Sequence, residues 1–450
     1  MSADNHRFPE PHAASTRRRR TSTSRAVAAS LLVGAASALF LSLVVFAGAT
    51  ESVVTGSILV GFGLGWGVLA VLSGRSTGQA LVWARVPAAA MTATGSVLMV
   101  LTPDDETLTR LTWLWAPALF GLAGWMGVRT WRTVTGGSRW LLTPVLVVLG
   151  LAGAGALAQT VTTERNQDAY PAPGVLYSVG DHRLHLDCRG EGSPTVVLFN
   201  GLGEISASWA KVVDHLGSGT RVCAYDRAGQ AWSDDVTSAQ DGIAAAQDLH
   251  ALLTTAGESG PFVLVGHSIG GPYAMTYAAT YAEDVAGMVL LDSSSPRQLT
   301  EIPSYPFQYA VMRRGYAVLP TLARVGLGGL VAAGSGYPPE IADRLHAMTS
   351  TPRAARNARD EIATVPTLLE QAQTLTTLGE VPCVVLTASG SVEETEGWSA
   401  AQDRIAELST ACVHRDVESS HQGMVDGRTG SRESARAIDD VVAAVRDAVR

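Results

Sequence analysis

A serine set among glycines, Gly266-His267-Ser268-Ile269-Gly270-Gly271, follows directly on the apolar run Phe262-Val263-Leu264-Val265. The pattern reads as strand, tight turn and helix, the helix continuing through residues 272–281. In a G-x-S-x-G turn of this kind the serine sits on a strained corner with its hydroxyl exposed above the sheet. The glycines tolerate unusual dihedrals and leave room for neighbouring backbone. A glycine-rich β–α turn with an incidental serine is the simpler alternative. The buried strand before the turn and the small-residue helix after it argue against that alternative.

A serine hydroxyl is inert at neutral pH until a base takes its proton. His421 is the candidate base: it follows a predicted strand at 412–417 and precedes the last predicted helix, which places it at a strand's C-terminal edge. His414 lies inside that strand and reads as packing or surface. A carboxylate must hold the imidazole tautomer and stabilise the imidazolium. Asp292 directly ends a predicted strand at 287–291, and Glu393 follows the next one, in Gly390-Ser391-Val392-Glu393. Asp292 is favoured and Glu393 stays open, since Ser293-Ser294-Ser295-Pro296 is a turn cluster that an aspartate could simply order. The oxyanion needs preorganised backbone N–H donors, and the residue after the nucleophile, Ile269, supplies one.

These residues require a scaffold that delivers strand ends to one edge. From residue 176 onward, apolar strands alternate with helices: strands at 183–187, 195–199, 221–225, 262–265, 287–291, 381–387 and 412–417, with helices at 208–216, 241–255, 399–408 and 433–449. Continuous apolar strands alternating with helices imply a mostly parallel sheet covered on both faces. In such sheets, reactive residues gather at the C-terminal strand ends.

The stretches Leu198-Phe199-Asn200-Gly201-Leu202-Gly203, Tyr225-Asp226-Arg227-Ala228-Gly229, the serine turn, Val289-Leu290-Leu291-Asp292 and Ser419-Ser420-His421 together resemble an α/β-hydrolase-fold enzyme of the serine esterase/lipase type over residues 175–449. The resemblance implies Ser268, His421 and Asp292 as catalytic residues, and Leu202 with Ile269 as the oxyanion hole. It implies that His267 points away from the nucleophile. It also implies that Asn200, standing where many relatives have histidine, is structural, as is the Asp226-Arg227 pair. Residues 293–380 correspond to a helical cap. In that segment Tyr305, Phe307, Tyr309, Met312, Tyr316, Leu319 and Leu322 give an apolar face, and the glycine-rich stretch 326–336 could hinge. The cap either packs as core or acts as a lid admitting acyl chains from a membrane. The strand order of this fold makes the strands of Cys188 and Cys223 neighbours, and likewise those of Cys383 and Cys412; a Cys188–Cys223 bridge is favoured.

The first third of the chain is a different physical object. Residues 1–169 hold 13 Arg and 8 Asp+Glu, whereas residues 170–450 hold 20 Arg+Lys against 33 Asp+Glu. Seven of the ten tryptophans lie in the first part and all four cysteines in the second. Five uncharged stretches, at 26–50, 52–74, 86–103, 111–128 and 140–163, each approach the roughly 17–25 helical residues that cross a bilayer. Arg75 and the Arg129, Arg132, Arg139 group alternate with Glu51 and Asp104-Asp105-Glu106 between the stretches. By the positive-inside rule the N-terminus is then cytoplasmic and the chain beyond residue 164 extracytoplasmic. Ala47-Gly48-Ala49 also resembles a signal-peptidase site, and cleavage there would leave the second part outside as before.

The fold class expected is therefore an N-terminal α-helical membrane domain of about five transmembrane helices followed by an α/β-hydrolase fold with a helical cap. The expected division is a disordered basic cytoplasmic tail at 1–25, a membrane domain at 26–163, a linker at 164–175 and the hydrolase domain at 176–450. The acidity of the second part argues against nucleic acid as a partner, because phosphate binding needs clustered positive charge. No Cys/His or carboxylate cluster has metal-ligand spacing and no glycine loop matches a nucleotide signature, so neither metal nor cofactor is expected. High alanine and a single lysine suggest a GC-rich bacterial genome. The activity expected is cleavage of a small-molecule or lipid-like carboxylic ester through an acyl-enzyme, in a multi-pass protein of the cell membrane. A peptidase or amidase with the same triad, or a non-catalytic ligand-binding protein, are the alternatives.

Overall fold

The structure, a computed structural model, describes residues 22–77, 79–330, 332, 336–448 and 450. The long uncharged stretches form long helices. These are α1 (Thr23–Phe40), which runs on as a π-helical turn over Leu41–Val45, then α2 (Glu51–Ser76), α3 (Arg85–Leu101), α4 (Asp105–Thr133) and α5 (Ser138–Ala169). Among the described residues these five are long and apolar enough to cross a membrane. Small residues let them pack closely: a Cβ added to Gly65 of α2 would lie 2.7 Å from the Gly34 Cα of α1, the close backbone approach that small residues permit between apolar helices.

Two expected boundaries shift. The basic tail assigned to 1–25 lies outside the described residues up to residue 21, and α1 already begins at Thr23, with the Ser22 side chain accepting from the Arg25 N–H. The linker assigned to 164–175 is helical as far as Ala169. Its polar residues carry no helix breaker until Pro171, so the helix continues until proline stops it.

The second part is an eight-stranded sheet in the order β1-β2-β4-β3-β5-β6-β7-β8. The strands are β1 (Val175–Val179), β2 (His182–Arg189), β3 (Val196–Phe199), β4 (Val222–Asp226), β5 (Phe262–His267), β6 (Val285–Leu291), β7 (Cys383–Ala388) and β8 (Cys412–Val417). β1 and β2 pair antiparallel, β2 joins β4 antiparallel, and every later pairing is parallel. β1, unanticipated from sequence, is an edge strand with mixed exposure, so it lacks the apolar run that betrays the central strands.

The remaining helices are α6 (Ala210–His215), α7 (Gly242–Ala256), α8 (Gly270–Thr280), α9 (Gln298–Glu301), α10 (Tyr305–Leu322), α11 (Pro339–Thr349), α12 (Pro352–Ala372), α13 (Ser389–Glu394), α14 (Trp398–Ala406), α15 (Gly423–Asp426) and α16 (Arg428–Ala448). One apolar layer, with Leu249 of α7, Tyr277 of α8 and Leu368 of α12, covers one face of the sheet. A second, with Val212 of α6 and Ile438, Val441 and Val442 of α16, covers the other. β3 and β5 are buried along their whole length, and each fully buried Val or Leu contributes about 1.5–3 kcal/mol by leaving water. These two strands are therefore the rigid base from which the loops at their C-terminal ends project.

Two disulfides staple register partners on adjacent strands, Cys188 to Cys223 across β2 and β4, and Cys383 to Cys412 across β7 and β8. The helices α9 to α12 form the cap, and the cap docks on the N-terminal helices. Arg324, in a π-helical turn after α10, lies buried between Glu51 at the start of α2 and Asp105 at the start of α4. Thr321 bonds Thr55 at 2.8 Å, and the Arg314 Nε donates to the Leu43 carbonyl at 3.1 Å. Of the glycine-rich stretch 326–336, residues 331 and 333–335 lie outside the described residues.

The apolar residues of α10 do not form one face. Tyr309, Met312 and Tyr316 pack against the core, whereas Phe307 and Leu322 point away from it and are exposed. Spacing explains the split: positions 309, 312, 316 and 319 follow the helical repeat, and 307, 311, 318 and 322 follow it on the opposite side.

Candidate active site

Register places the central residues. His267 of β5 pairs with Leu291 of β6, so the next residue of each strand, Ser268 and Asp292, leaves the sheet side by side. Ser268 takes φ 55°, a left-handed conformation that L-residues avoid. Local bonds hold it there: its N–H donates to the Leu291 carbonyl at 3.2 Å, and its own carbonyl accepts from Gly271 at 3.1 Å and Ser294 at 2.9 Å. The flanking glycines are steric requirements. A Cβ on Gly266 would meet Gly271 backbone at 2.6 Å, and one on Gly270 would meet the Phe199 carbonyl at 2.1 Å.

His421 enters from the loop between β8 and α15. Its Nε2 lies 2.9 Å from Ser268 Oγ and its Nδ1 2.6 Å from Asp292 Oδ2. The structure thus brings Ser268, His421 and Asp292 together in one hydrogen-bonded line. Asp292 is fully buried, while the His421 side chain is 41% exposed. Glu393, the other candidate acid, is exposed on α13, and its carboxylate has no hydrogen bond or ion pair among the described residues.

Asp292 is held by more than histidine. Its Oδ1 accepts from the Ala388 N–H at 3.0 Å and from Trp398 Nε1 at 2.8 Å, and its Oδ2 also accepts from the Ser391 hydroxyl. Burial pushes the Asp292 pKa up, but the His421 hydrogen bond and charge, with the Ser391 and Trp398 donors, hold it below the usual carboxylate value. The carboxylate stays ionised and fixes which histidine nitrogen faces the serine. Ser391 and Trp398 were not anticipated. Their signal was only that both follow the C-terminal end of β7, next to the strand that ends at Asp292.

The Leu202 and Ile269 N–H groups have no acceptor within the chain among the described residues. They flank the serine from the β3 loop and from the turn before α8. That loop is braced from below. Gly201 N–H donates to Glu204 Oε2 at 2.5 Å. Arg227 donates to the Asn200 and Gly201 carbonyls at 2.9 and 3.4 Å, pairs with buried Glu361 and lies 4.3 Å from the Tyr273 ring centroid. Asn200 is saturated: it donates to the Tyr225 carbonyl at 2.9 Å and accepts from Trp209 Nε1 at 2.9 Å.

His267 turns from the serine and forms a second buried pair. Its Nδ1 lies 2.8 Å from Glu204 Oε1, off the ideal N–H direction, so the two attract chiefly by charge. Its Nε2 meets the His421 carbonyl at 3.1 Å. Burial opposes both charges, yet each stabilises the other: Glu204 lies below and His267 above its ordinary pKa. Sequence gave no sign of Glu204, whose partner is 63 positions away. A cavity of about 290 Å³ adjoins this loop, lined among others by Leu202, Gln422 and, from α10, Tyr316 and Leu319.

A family model described as the alpha/beta hydrolase fold matches residues 194–319. An uncharacterized protein of Schizosaccharomyces pombe is 29% identical over 283 residues, 54% of this chain and 51% of that protein. An uncharacterized vacuolar membrane protein of Saccharomyces cerevisiae is 26% identical over 176 residues, 33% of this chain and 27% of that protein. The matched region thus spans about half, or less, of the length of these relatives. Among solved structures, the Cif epoxide hydrolase of Acinetobacter nosocomialis superposes with a TM-score of 0.50 at 15% identity, covering 62% of this chain and 95% of that one, a likeness of fold. The part of the chain from residue 175 onward, with its mostly parallel sheet, flanking helices and serine turn, thus has an α/β-hydrolase fold, and it follows five membrane-compatible helices.

Proposed function

We propose that this protein is a membrane-anchored serine hydrolase that cleaves carboxylic esters at the extracytoplasmic face. The observation that carries the reading is the line Ser268 Oγ, His421 Nε2 at 2.9 Å, His421 Nδ1, Asp292 Oδ2 at 2.6 Å. His421 takes the Ser268 proton as Oγ attacks the ester carbonyl carbon. The oxyanion of the tetrahedral intermediate lies against the Leu202 and Ile269 N–H groups. Collapse breaks the bond to the alcohol oxygen, which leaves with the proton from His421. Water then gives a proton to His421 and attacks the acyl carbon, and Ser268 departs with that proton restored. The arginine distribution between the helices and the paired cysteines support the outward placement.

The test is labelling of intact cells with a membrane-impermeant fluorophosphonate, wild type against Ser268→Ala, followed by a panel of p-nitrophenyl esters and aminoacyl amides. Labelling of wild type alone is expected, with esters cleaved in preference to amides. Folded wild-type protein that no fluorophosphonate labels, permeant or not, would sink the nucleophile assignment.

A further inference from the structure

Helix α10 separates two environments. Its inner side contributes Tyr316 and Leu319 to the cavity beside Leu202 and Gln422. Its outer side carries Phe307, 74% exposed, and Val311, 52% exposed, with Val318 partly and Leu322 more fully exposed along the same stripe. A water-facing helix of a soluble domain would place polar residues there. The stripe does not stand alone. Arg314 of α10 donates to the Leu43 carbonyl, and Val44 and Val45 beside it are exposed apolar residues of the first membrane-compatible helix. Thr321, near the C-terminal end of α10, bonds Thr55, one turn into α2. The exposed apolar surface of α10 is therefore continuous with the surface that the N-terminal helices offer to lipid, at the end of those helices where the cap sits. Basic side chains beside an apolar helical stripe suit a helix lying in a bilayer interface, since arginine can bury its stem and keep its head among lipid head groups.

We infer that α10 rests in the surface of the bilayer crossed by the protein's own helices, and that the ester cleaved at Ser268 belongs to a lipid drawn from that bilayer past α10. This rests on the serine hydrolase reading and narrows its substrate to acyl esters of membrane lipids. The outer side of α10 supplies the lipid contact, and Tyr316 and Leu319 one helix thickness away supply apolar surface to the same molecule.

The full-length protein is reconstituted in phosphatidylcholine vesicles and given two fluorogenic umbelliferyl esters, the bilayer-borne oleate and the water-soluble acetate. The variant Phe307→Gln/Val311→Gln is expected to lose about ten-fold in kcat/KM on the oleate and to stay within about two-fold on the acetate. Equal loss on both esters, or loss on neither, overturns the inference. Cleavage of acetate but not oleate by wild type overturns it too, while leaving the hydrolase reading intact. Cleavage of neither overturns both. A second measurement needs no activity: a nitroxide on Phe307→Cys in the same vesicles is expected to be more accessible to oxygen than to a water-soluble nickel chelate. The reverse order places α10 in water and removes the inference.

Discussion

Ser268 and Asp292 each stand one residue beyond a register pair of adjacent parallel strands, and both hold a left-handed backbone, at φ 55° and 43°. The geometry that exposes the hydroxyl is thus matched by one that turns the acid toward the same histidine. For a residue with a Cβ such a conformation costs about 1–2 kcal/mol. Ser268→Gly and Ser268→Ala are both expected to lose about 10⁴–10⁶-fold in kcat, but the glycine variant sheds the strain and should be about 1 kcal/mol more stable than the alanine variant. Ester hydrolysis and thermal unfolding in one detergent check both halves. Equal stability would mean that the turn is unstrained.

The acid assignment separates by substitution. Asp292→Asn keeps the shape but permits the wrong imidazole tautomer, and a loss of about 10⁴-fold in kcat is expected. Glu393→Gln, on the exposed helix α13, is expected to leave kcat within about two-fold. Trp398→Phe removes one donor to a buried carboxylate, an interaction of about 1.5–3 kcal/mol, so kcat should fall by about ten-fold or more with KM little changed. If Glu393→Gln cost more than Asp292→Asn, the acid would have been misassigned.

Much of this was legible because it is local. Continuous apolar runs marked β3, β5 and β6, and the glycines around Ser268 marked the turn, since both signals lie within a few residues. Asp292 was readable as the polar residue directly after a strand end, and His421 as the histidine in the short loop between the last strand and the last helix. What escaped depends on contacts distant in sequence. Ser391 reaches Asp292 across 99 positions and Gln422 reaches Glu204 across 218. The two faces of α10 escaped for another reason. Both are apolar, so periodicity could not say which faced the sheet.

The Glu204–His267 pair gives a pH dependence with two limbs. Burial opposes ionisation of each, but their mutual attraction prevails, lowering Glu204 from its ordinary 4.5 and raising His267 from its ordinary 6.5. A raised histidine stabilises the fold fully below pH 6.5 and ceases to do so as pH climbs through its folded value. A lowered carboxylate stabilises fully above pH 4.5 and ceases to do so as pH falls through its folded value. The pair's contribution is therefore greatest between about pH 4.5 and 6.5. Glu204→Gln strands His267, and a loss of about 3–5 kcal/mol is expected in that window, with a smaller loss toward pH 8. Melting temperatures of wild type and variant across pH 4–9 check it. A difference independent of pH would show that the two groups are not an ion pair.

Arg324 ties the cap to the membrane-compatible helices through charges that water barely reaches. Its guanidinium spans Glu51 and Asp105, from different helices, and also donates to Thr109 at 3.2 Å. Buried ion pairs contribute little net stability against an apolar replacement, yet breaking one side leaves a charge without a partner. Arg324→Met strands Glu51, which is buried, more than Asp105, which keeps Arg356 at 3.8 Å. The single variant is expected to lose about 3–5 kcal/mol. Arg324→Met/Glu51→Gln should recover most of that loss, because the second change removes the stranded charge. A double-mutant cycle by thermal unfolding in one detergent measures the coupling, expected at about 3 kcal/mol. Additive losses would mean that cap and helices are held together by apolar packing alone, with Arg324 free to move.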